Sequence, residues 1–212
     1  MAMEQFVRIT GIAAPLVRAN IDTDLLIPSR EITDPGKAGY GEKLLAPWRY
    51  LPSPKSTRVE NPEFVLNRPP FRHAVILISG ENFGSGSSRE AAVWAVRQFG
   101  LRCVIAPSFG TIFRNNCYRN GVLPVVLANA DVEKIAREAE GGELCLTVDL
   151  VDCVVAHSNG RQWSFHVPAN ERTMMLKGLD AIGLTLKRVA EIDAFERRDR
   201  ALRPWVYERA PA

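Results

Sequence analysis

The segment Gly80-Glu81-Asn82-Phe83-Gly84-Ser85-Gly86-Ser87-Ser88-Arg89-Glu90 packs two glycines, three serines and an arginine into positions 84–89. It follows an apolar run of strand length, His73 to Ile78, and precedes a helix-like run, Arg89 to Phe99, that is apolar almost all round and stops at Gly100. Gly84 and Gly86 permit a positive φ and let a ligand come close to the backbone. A helix starting at Arg89 presents unpaired N–H groups and a partial positive charge. Together these features suit a small anion. A second reading needs no ligand: Ser87-Ser88-Arg89-Glu90 has the form of a capping box, with Ser87 at the N-cap and Glu90 at N3. Arg89 bears on the choice, because a cation in the first turn opposes the helix dipole at a cost of roughly 0.3–1 kcal/mol when exposed. A bound carboxylate would reverse that sign and accept a bidentate pair. Both readings stay open on the residues alone. Nucleotide and hydrolase motifs fit poorly. A dinucleotide fingerprint needs Gly at position 89, a P-loop needs a Lys that this loop lacks, and a nucleophile elbow needs Ser where Gly86 stands.

The elements that must hold this loop follow from hydrophobic patterning. Cys103 to Ala106 and Leu123 to Leu127 are further buried strands, with a short helix from Ile112 to Asn120 between them. Residues 73–127 therefore read as strand, helix, strand, helix, strand, the pattern of parallel βαβ units. Upstream, residues 5–19 give one or two short strands, and Asn20-Ile21-Asp22-Thr23-Asp24 forms a polar knot. Residues 28–63 read as a long loop with one helical turn near Leu44; loops of that length are usually functional or disordered. Downstream come a helix from Asp131 to Ala139 with Asp131 as its cap, strands at 144–151 and 154–156, and a turn at Ser158-Asn159-Gly160. Residues 163–167 then pair back as a hairpin. A helix runs from Glu171 to Lys177, and a last one covers 185–200 with Leu186, Val189, Ile192 and Phe195 on one stripe. The fold class is α/β: a parallel βαβ core with an extra β-hairpin and C-terminal helices. Trp48, Trp94, Trp163 and Trp205 are expected in or beside the core.

With 212 residues and 46% hydrophobic composition, the chain can bury a core in one domain without disulfide staples. A net charge of +3 is too small to argue for nucleic acid or a membrane surface. No apolar run is long enough to span a bilayer and the first residues lack a secretory pattern, so the cytoplasm is expected. Cys103, Cys117, Cys145 and Cys153 form no C-x-x-C pair and have mostly apolar neighbours. They read as reduced packing residues that cannot hold a metal cluster, and no metal ligand is assigned to this chain.

Several stretches together resemble the aconitase swivelling domain, and within it the small subunits of isopropylmalate isomerases. They are Asn82-Phe83-Gly84-x-Gly86-Ser87-Ser88-Arg89-Glu90, Asn20-Ile21-Asp22-Thr23-Asp24 followed by Ile27-Pro28-Ser29-Arg30, and Phe64-Val65-Leu66-Asn67. Further matches are Val104-Ile105-Ala106-Pro107-Ser108-Phe109, Asn120-Gly121-x-Leu123-Pro124-Val125-Val126-Leu127, Thr147-Val148-Asp149-Leu150 and Gly178-Leu179-Asp180-x-Ile182-Gly183-Leu184-Thr185-Leu186. They cover nearly the whole chain in order, so one swivelling domain over 1–212 is expected, with 28–63 as a substrate-recognition loop and 180–212 as a helical tail.

The resemblance implies a hydro-lyase of two chains, acting on a small dicarboxylate in leucine biosynthesis. The large subunit would carry a [4Fe–4S] cluster as Lewis acid. This chain would bind no cofactor itself and would show no activity alone. By the same likeness Ser87 is the base that removes a proton α to a carboxylate, while Ser88 and Arg89 hold a substrate carboxylate with the Gly84 and Gly86 backbone beside them. Asp24 resembles a buried Asp of the family that orients Arg89 or another group, a plain Asx turn being the alternative. Arg30 is the candidate for the second carboxylate. Two positions depart from the pattern: Ser85 stands where the family carries Cys, and Ala91 where it carries His. The second removes a titratable group beside the site. It keeps open other dicarboxylates, such as citraconate, citramalate, dimethylmalate or homoaconitate, and a non-catalytic role.

Overall fold

The computed structural model describes residues 4–32, 36, 38–52 and 58–207. The backbone runs as β1 (Arg8–Leu16), α1 (Thr23–Leu26), α2 (Ala46–Arg49), β2 (Tyr50–Leu51), β3 (Val59–Glu60), β4 (Ile76–Ser79) and α3 (Glu90–Phe99). It continues as β5 (Cys103–Ala106), α4 (Thr111–Arg119), β6 (Leu123–Val126), α5 (Asn129–Ala139), β7 (Cys145–Asp149), β8 (Val154–His157), β9 (Gln162–Ser164), α6 (Ala169–Lys177), α7 (Ala181–Leu186) and α8 (Val189–Leu202). Seven strands form one sheet in the order β6-β5-β4-β1-β7-β8-β9. The β6, β5, β4 and β1 half is parallel, and β7, β8 and β9 continue it antiparallel. β1 belongs to both halves: Ala13–Leu16 pair with Ile76–Ser79, and Arg8–Ile12 with Cys145–Asp149. The α/β reading with parallel βαβ units and a hairpin holds.

The pleat sends alternate residues of the central strands to opposite faces. Leu77, Val104 and Ala106 join a cluster with α3 and the segment after β1. Ile76, Ile78, Cys103 and Ile105 join a second cluster under α5 and α6. Both faces are covered, which is why β4 and β5 are fully buried and read as continuous apolar runs. Helix α3 buries Ala91, Ala92, Val93, Ala95 and Val96 and ends on Gly100 at φ 114°. It packs against the turn at 41–43, α4 and α1.

Several expectations need correction. The segment 28–63 is not a structureless loop. Its described part contains two 3-10 turns, α2 and the β2–β3 hairpin, and it buries Tyr40, Leu44 and Leu45 in the core. Arg49 is buried there too: its Nη1 donates to Gly41 O at 2.9 Å, and Asn67 Nδ2 donates to Arg49 O at 2.6 Å. Gly, Pro and charge hid this layer because its apolar residues have no regular period. Positions 33–35, 37 and 53–57 of the expected loop lie outside the described residues. The last helix is two helices: Asp180 Oδ1 accepts from Gly183 N at 2.6 Å to cap α7, and Arg188, at ψ 23°, separates α7 from α8. Its apolar stripe is not packed, with Leu186, Val189 and Phe195 half exposed or more. Trp205 is 65% exposed, whereas Trp48, Trp94 and Trp163 pack partly against the core. Asp131 lies inside the first turn of α5 rather than at its cap. No helix among the described residues is long and apolar enough to cross a membrane.

Candidate active site

Three loops leave the carboxyl ends of neighbouring parallel strands and meet. They are 17–22 after β1, 80–89 after β4 and 107–110 after β5. Ligands of open α/β sheets bind at this end. The loops are laced by backbone bonds. Asn20 N donates to Glu81 O at 2.9 Å, Gly84 N to Ile21 O at 2.7 Å and Thr23 N to Ser85 O at 2.9 Å. On the other side Phe83 N donates to Ser108 O at 3.1 Å and Gly110 N to Phe83 O at 2.9 Å. Asn20 and Asn82 both adopt the left-handed region, at φ 58° and 56°, and Asn82 Nδ2 donates to Asn20 Oδ1 at 2.7 Å. Phe83 is fully buried beneath the loop, edge-on to Phe109 and Phe113.

The expected capping box does not form. The N-cap of α3 is Arg89, without any side-chain cap, and Glu90 Oε1 instead accepts from Asn120 Nδ2 at 3.0 Å. Ser87 O accepts from Arg89 N at 2.9 Å, a tight turn that moves the helix start two residues past the predicted N-cap. Ser87 and Ser88 are exposed, and neither hydroxyl has a hydrogen-bond partner among the described residues. The N–H groups of Ser87, Ser88, Glu90 and Ala91 likewise meet no acceptor there. Of the two readings, the structure removes the cap and leaves the donors free. Those donors and the helix dipole are suited to an anion.

Arg89 is partly buried and its Nη1 is engaged twice, in an ion pair with Asp24 Oδ1 and with Ile27 O at 3.4 Å. A guanidinium has five donors in a planar fork. The Nε and Nη2 edge is therefore still available to a second carboxylate. Asp24 is paired with Arg89, and its side chain is 55% exposed rather than buried. The Asx role falls to Asp22, whose Oδ1 accepts from Leu25 N at 2.8 Å at the start of α1. Arg30 is exposed and shares an open cleft with Asp22, Asp24, Leu25 and Ser29. Arg114, on α4, donates to Tyr118 Oη at 3.2 Å along its own helix.

The two glycines play different parts. Gly84 is buried at φ 71° with its N–H already bonded, so it offers no donor to a ligand, contrary to its expected binding role; a Cβ there would stand 2.2 Å from Phe113 Cγ. Gly86, at φ 86°, is exposed and faces open space apart from Asp22 and Thr23. Ala91 is buried in the first turn of α3 and Ser85 is half-buried. Sequence reasoning passed over Thr23, Asn82 and Ser108 as individual residues. Only Asn20 and Asn82 carried a signal, the tolerance of Asn for the left-handed region. Among the described residues no three His, Cys, Asp or Glu side chains come together as a metal site, so these side chains do not fit an iron–sulfur cluster. The four thiols are unpaired.

Residues 3–130 match the family model of the aconitase C-terminal domain. Residues 182–209 match the model of the C-terminal domain of 3-isopropylmalate dehydratase small subunits. The chain is 48% identical to the 3-isopropylmalate dehydratase small subunit of Cupriavidus necator over 207 residues, covering 97% of this chain and 99% of the relative. It is 48% identical to that of Dinoroseobacter shibae over 205 residues, 96% and 100% of the two chains, and 45% identical to that of Rhodospirillum rubrum over 205 residues, 96% and 97%. The crystal structure of a 3-isopropylmalate dehydratase from Methanocaldococcus jannaschii shares the fold at a TM-score of 0.62 and 22% identity, over 89% of this chain and 99% of that one. The fold is thus that of an aconitase-type domain. Within that class the chain belongs to the family of 3-isopropylmalate dehydratase small subunits.

Proposed function

We propose that this chain is the small subunit of a cytoplasmic two-chain hydro-lyase that interconverts 2-isopropylmalate and 3-isopropylmalate through isopropylmaleate, in leucine biosynthesis. The observation that carries the reading is the pair of exposed, unbonded hydroxyls of Ser87 and Ser88 at an uncapped helix start, beside a guanidinium fixed by Asp24. The relatives' small-subunit names support a larger partner. A [4Fe–4S] cluster, held by that partner and not by this chain, would supply Lewis-acid chemistry there. This chain's own residues do the rest.

Ser87 Oγ takes the proton α to a carboxylate in dehydration and returns one in rehydration. A free hydroxyl is too weak an acid to act as an alkoxide in water. It does so only where fixed donors and a helix dipole stabilise the oxyanion in a site closed to solvent. The free N–H groups around Ser87 supply the donors, and the large subunit supplies the closure. Ser88 Oγ and the Nε/Nη2 edge of Arg89 hold one substrate carboxylate, with Gly86 allowing close approach. Arg30, across Asp24, holds the second. Asp24 is a positioning residue for Arg89.

The test is Ser87→Ala in the complex reconstituted with the large subunit. Removing a general base lowers turnover by about 10²–10⁴-fold. Unchanged turnover would refute the assignment. A panel of isopropylmaleate, citraconate, dimethylmalate and homoaconitate with the same complex fixes the substrate, and the isopropyl compound is expected to have the highest kcat/KM.

A further inference from the structure

We infer that Thr23 is a positioning residue for Ser87: its buried hydroxyl fixes the peptide that carries the proposed base. The inference rests on the assignment of Ser87 above.

The segment 20–23 runs alongside 81–85 as a short parallel ribbon, with a bridge between Asp22 and Ser85. Backbone bonds align the two as far as Ser85 O, which accepts from Thr23 N. Past that point the ribbons part, because Gly86 turns at φ 86°. A side chain then takes over: Thr23 Oγ1 donates to Ser87 O at 2.8 Å. Thr23 is 1% exposed, so its hydroxyl has no bulk solvent to turn to instead. Ser87 O also accepts from Arg89 N at 2.9 Å. Two donors on one carbonyl set the plane of the 87–88 peptide.

This matters because Ser87 Oγ has no hydrogen bond of its own among the described residues. Its position is inherited entirely from the backbone beneath it. The branched Thr23 side chain has few rotamers, so its hydroxyl is delivered at a fixed angle. The next residue, Asp24, holds the guanidinium of Arg89. Two successive residues at the start of α1 thus fix the proposed base and the proposed carboxylate receptor relative to each other.

The experiment compares Thr23→Val, Thr23→Ser and Ser87→Ala in the reconstituted complex, with exchange of the Arg89 amide, which donates to Ser87 O, measured on each small subunit. Thr23→Val keeps the shape and removes the donor. Misplacing a reacting group by about 1 Å costs about 10²-fold, so kcat is expected to fall by about 10- to 100-fold with KM nearly unchanged. Exchange of the Arg89 amide is expected to quicken by about tenfold, as for the loss of one ordinary hydrogen bond. Thr23→Ser, which keeps the hydroxyl, restores both. Unaltered turnover and exchange in Thr23→Val, beside an inactive Ser87→Ala, would overturn this inference alone. A fully active Ser87→Ala would overturn the proposed function, and the catalytic half of this inference with it. If Thr23→Val does not accumulate, the smaller Thr23→Ala replaces it. Failure of both to fold, with Thr23→Ser native, makes Thr23 purely structural and also overturns the inference.

Discussion

Alanine at Gly84 and alanine at Gly86 should harm the protein in different ways, although a single residue separates them and both have positive φ. At Gly84 a Cβ would lie 2.2, 2.4 and 2.7 Å from Phe113 Cγ, Cδ1 and Cβ. Phe113 is 2% exposed and edge-on to Phe83 at 5.4 Å, so the ring has no free space to retreat into. The left-handed backbone alone costs a non-glycine residue about 1–2 kcal/mol. Overpacking a tight core adds about 1–3 kcal/mol. Gly84→Ala is therefore expected to lose about 2–5 kcal/mol. At Gly86 the nearest atom to a Cβ is Asp22 Cβ at 3.4 Å, so only the backbone cost of about 1–2 kcal/mol applies. For a chain of this size 1 kcal/mol moves the melting temperature by about 2–4 °C. The steric difference thus predicts a gap of about 2–12 °C between the two variants, with Gly84→Ala the lower. Thermal unfolding of the small subunit alone, followed by near-UV circular dichroism, reads this directly. Phe113→Leu in the Gly84→Ala background should recover part of the steric loss but none of the backbone loss. Turnover in the complex should rank the other way per degree lost, because Gly86 is the glycine on the open side of the loop. Equal melting temperatures for the two variants, or a lower one for Gly86→Ala, would refute the packing argument.

Three further outcomes are expected. Arg30→Ala in the complex should raise KM by about tenfold or more with little change in kcat, as befits the loss of a charge-assisted bond made equally to substrate and transition state; an unchanged KM removes Arg30 from the site. Burial pushes the thiols of Cys103 and Cys117 well up, while Cys145 and Cys153 are partly exposed. A disulfide reagent at pH 8 should therefore modify two thiols in the native protein and four only after unfolding, and four equal rates would contradict the structure. Burial pushes the Asp149 carboxyl up, but bonds from Asp152 N, Arg8 and Val151 N outweigh it and hold the group below the usual aspartate range. Its contribution to stability is then complete above about pH 4 and is lost as pH falls through the lowered folded value. Asp149→Asn should flatten the acid limb of urea midpoints measured from pH 6 to pH 3, and an unaltered limb would show that this carboxylate does not contribute.

The parallel core was legible because β4, β5 and β6 are short unbroken apolar runs separated by periodic helices, and burial on both faces produces that signal. The serine loop stood out through its composition. Its capping box did not form, because a helix start depends on where the preceding turn directs the chain, and the bond from Arg89 N to Ser87 O is not visible in a motif. The layer containing Tyr40, Leu44 and Arg49 was hidden for a related reason. Its order comes from tertiary partners such as Asn67, 18 residues away from Arg49, and not from any local period. The pairing of Asp24 with Arg89 spans 65 residues of sequence and was foreseen only as one of two alternatives. Thr23 carried no signal at all: a threonine between two aspartates reads as a turn residue until its acceptor is known.

Strand β1 has a consequence for how the molecule is made. It is made before the strands it pairs with: one of its edges waits for β4 and the other for β7, so that Arg8 must find Asp149 across 141 positions. At about 5–20 residues per second, several seconds pass in which the parallel half can assemble while the outer edge of β1 stays bare. A bare edge is a template for pairing with another chain. Stalled nascent chains ending near residue 140 should therefore associate with one another far more readily than the finished protein. Charged Arg8 on that edge, later bonded to Asp149 Oδ2 at 2.7 Å, is placed to discourage such pairing before its own partner arrives.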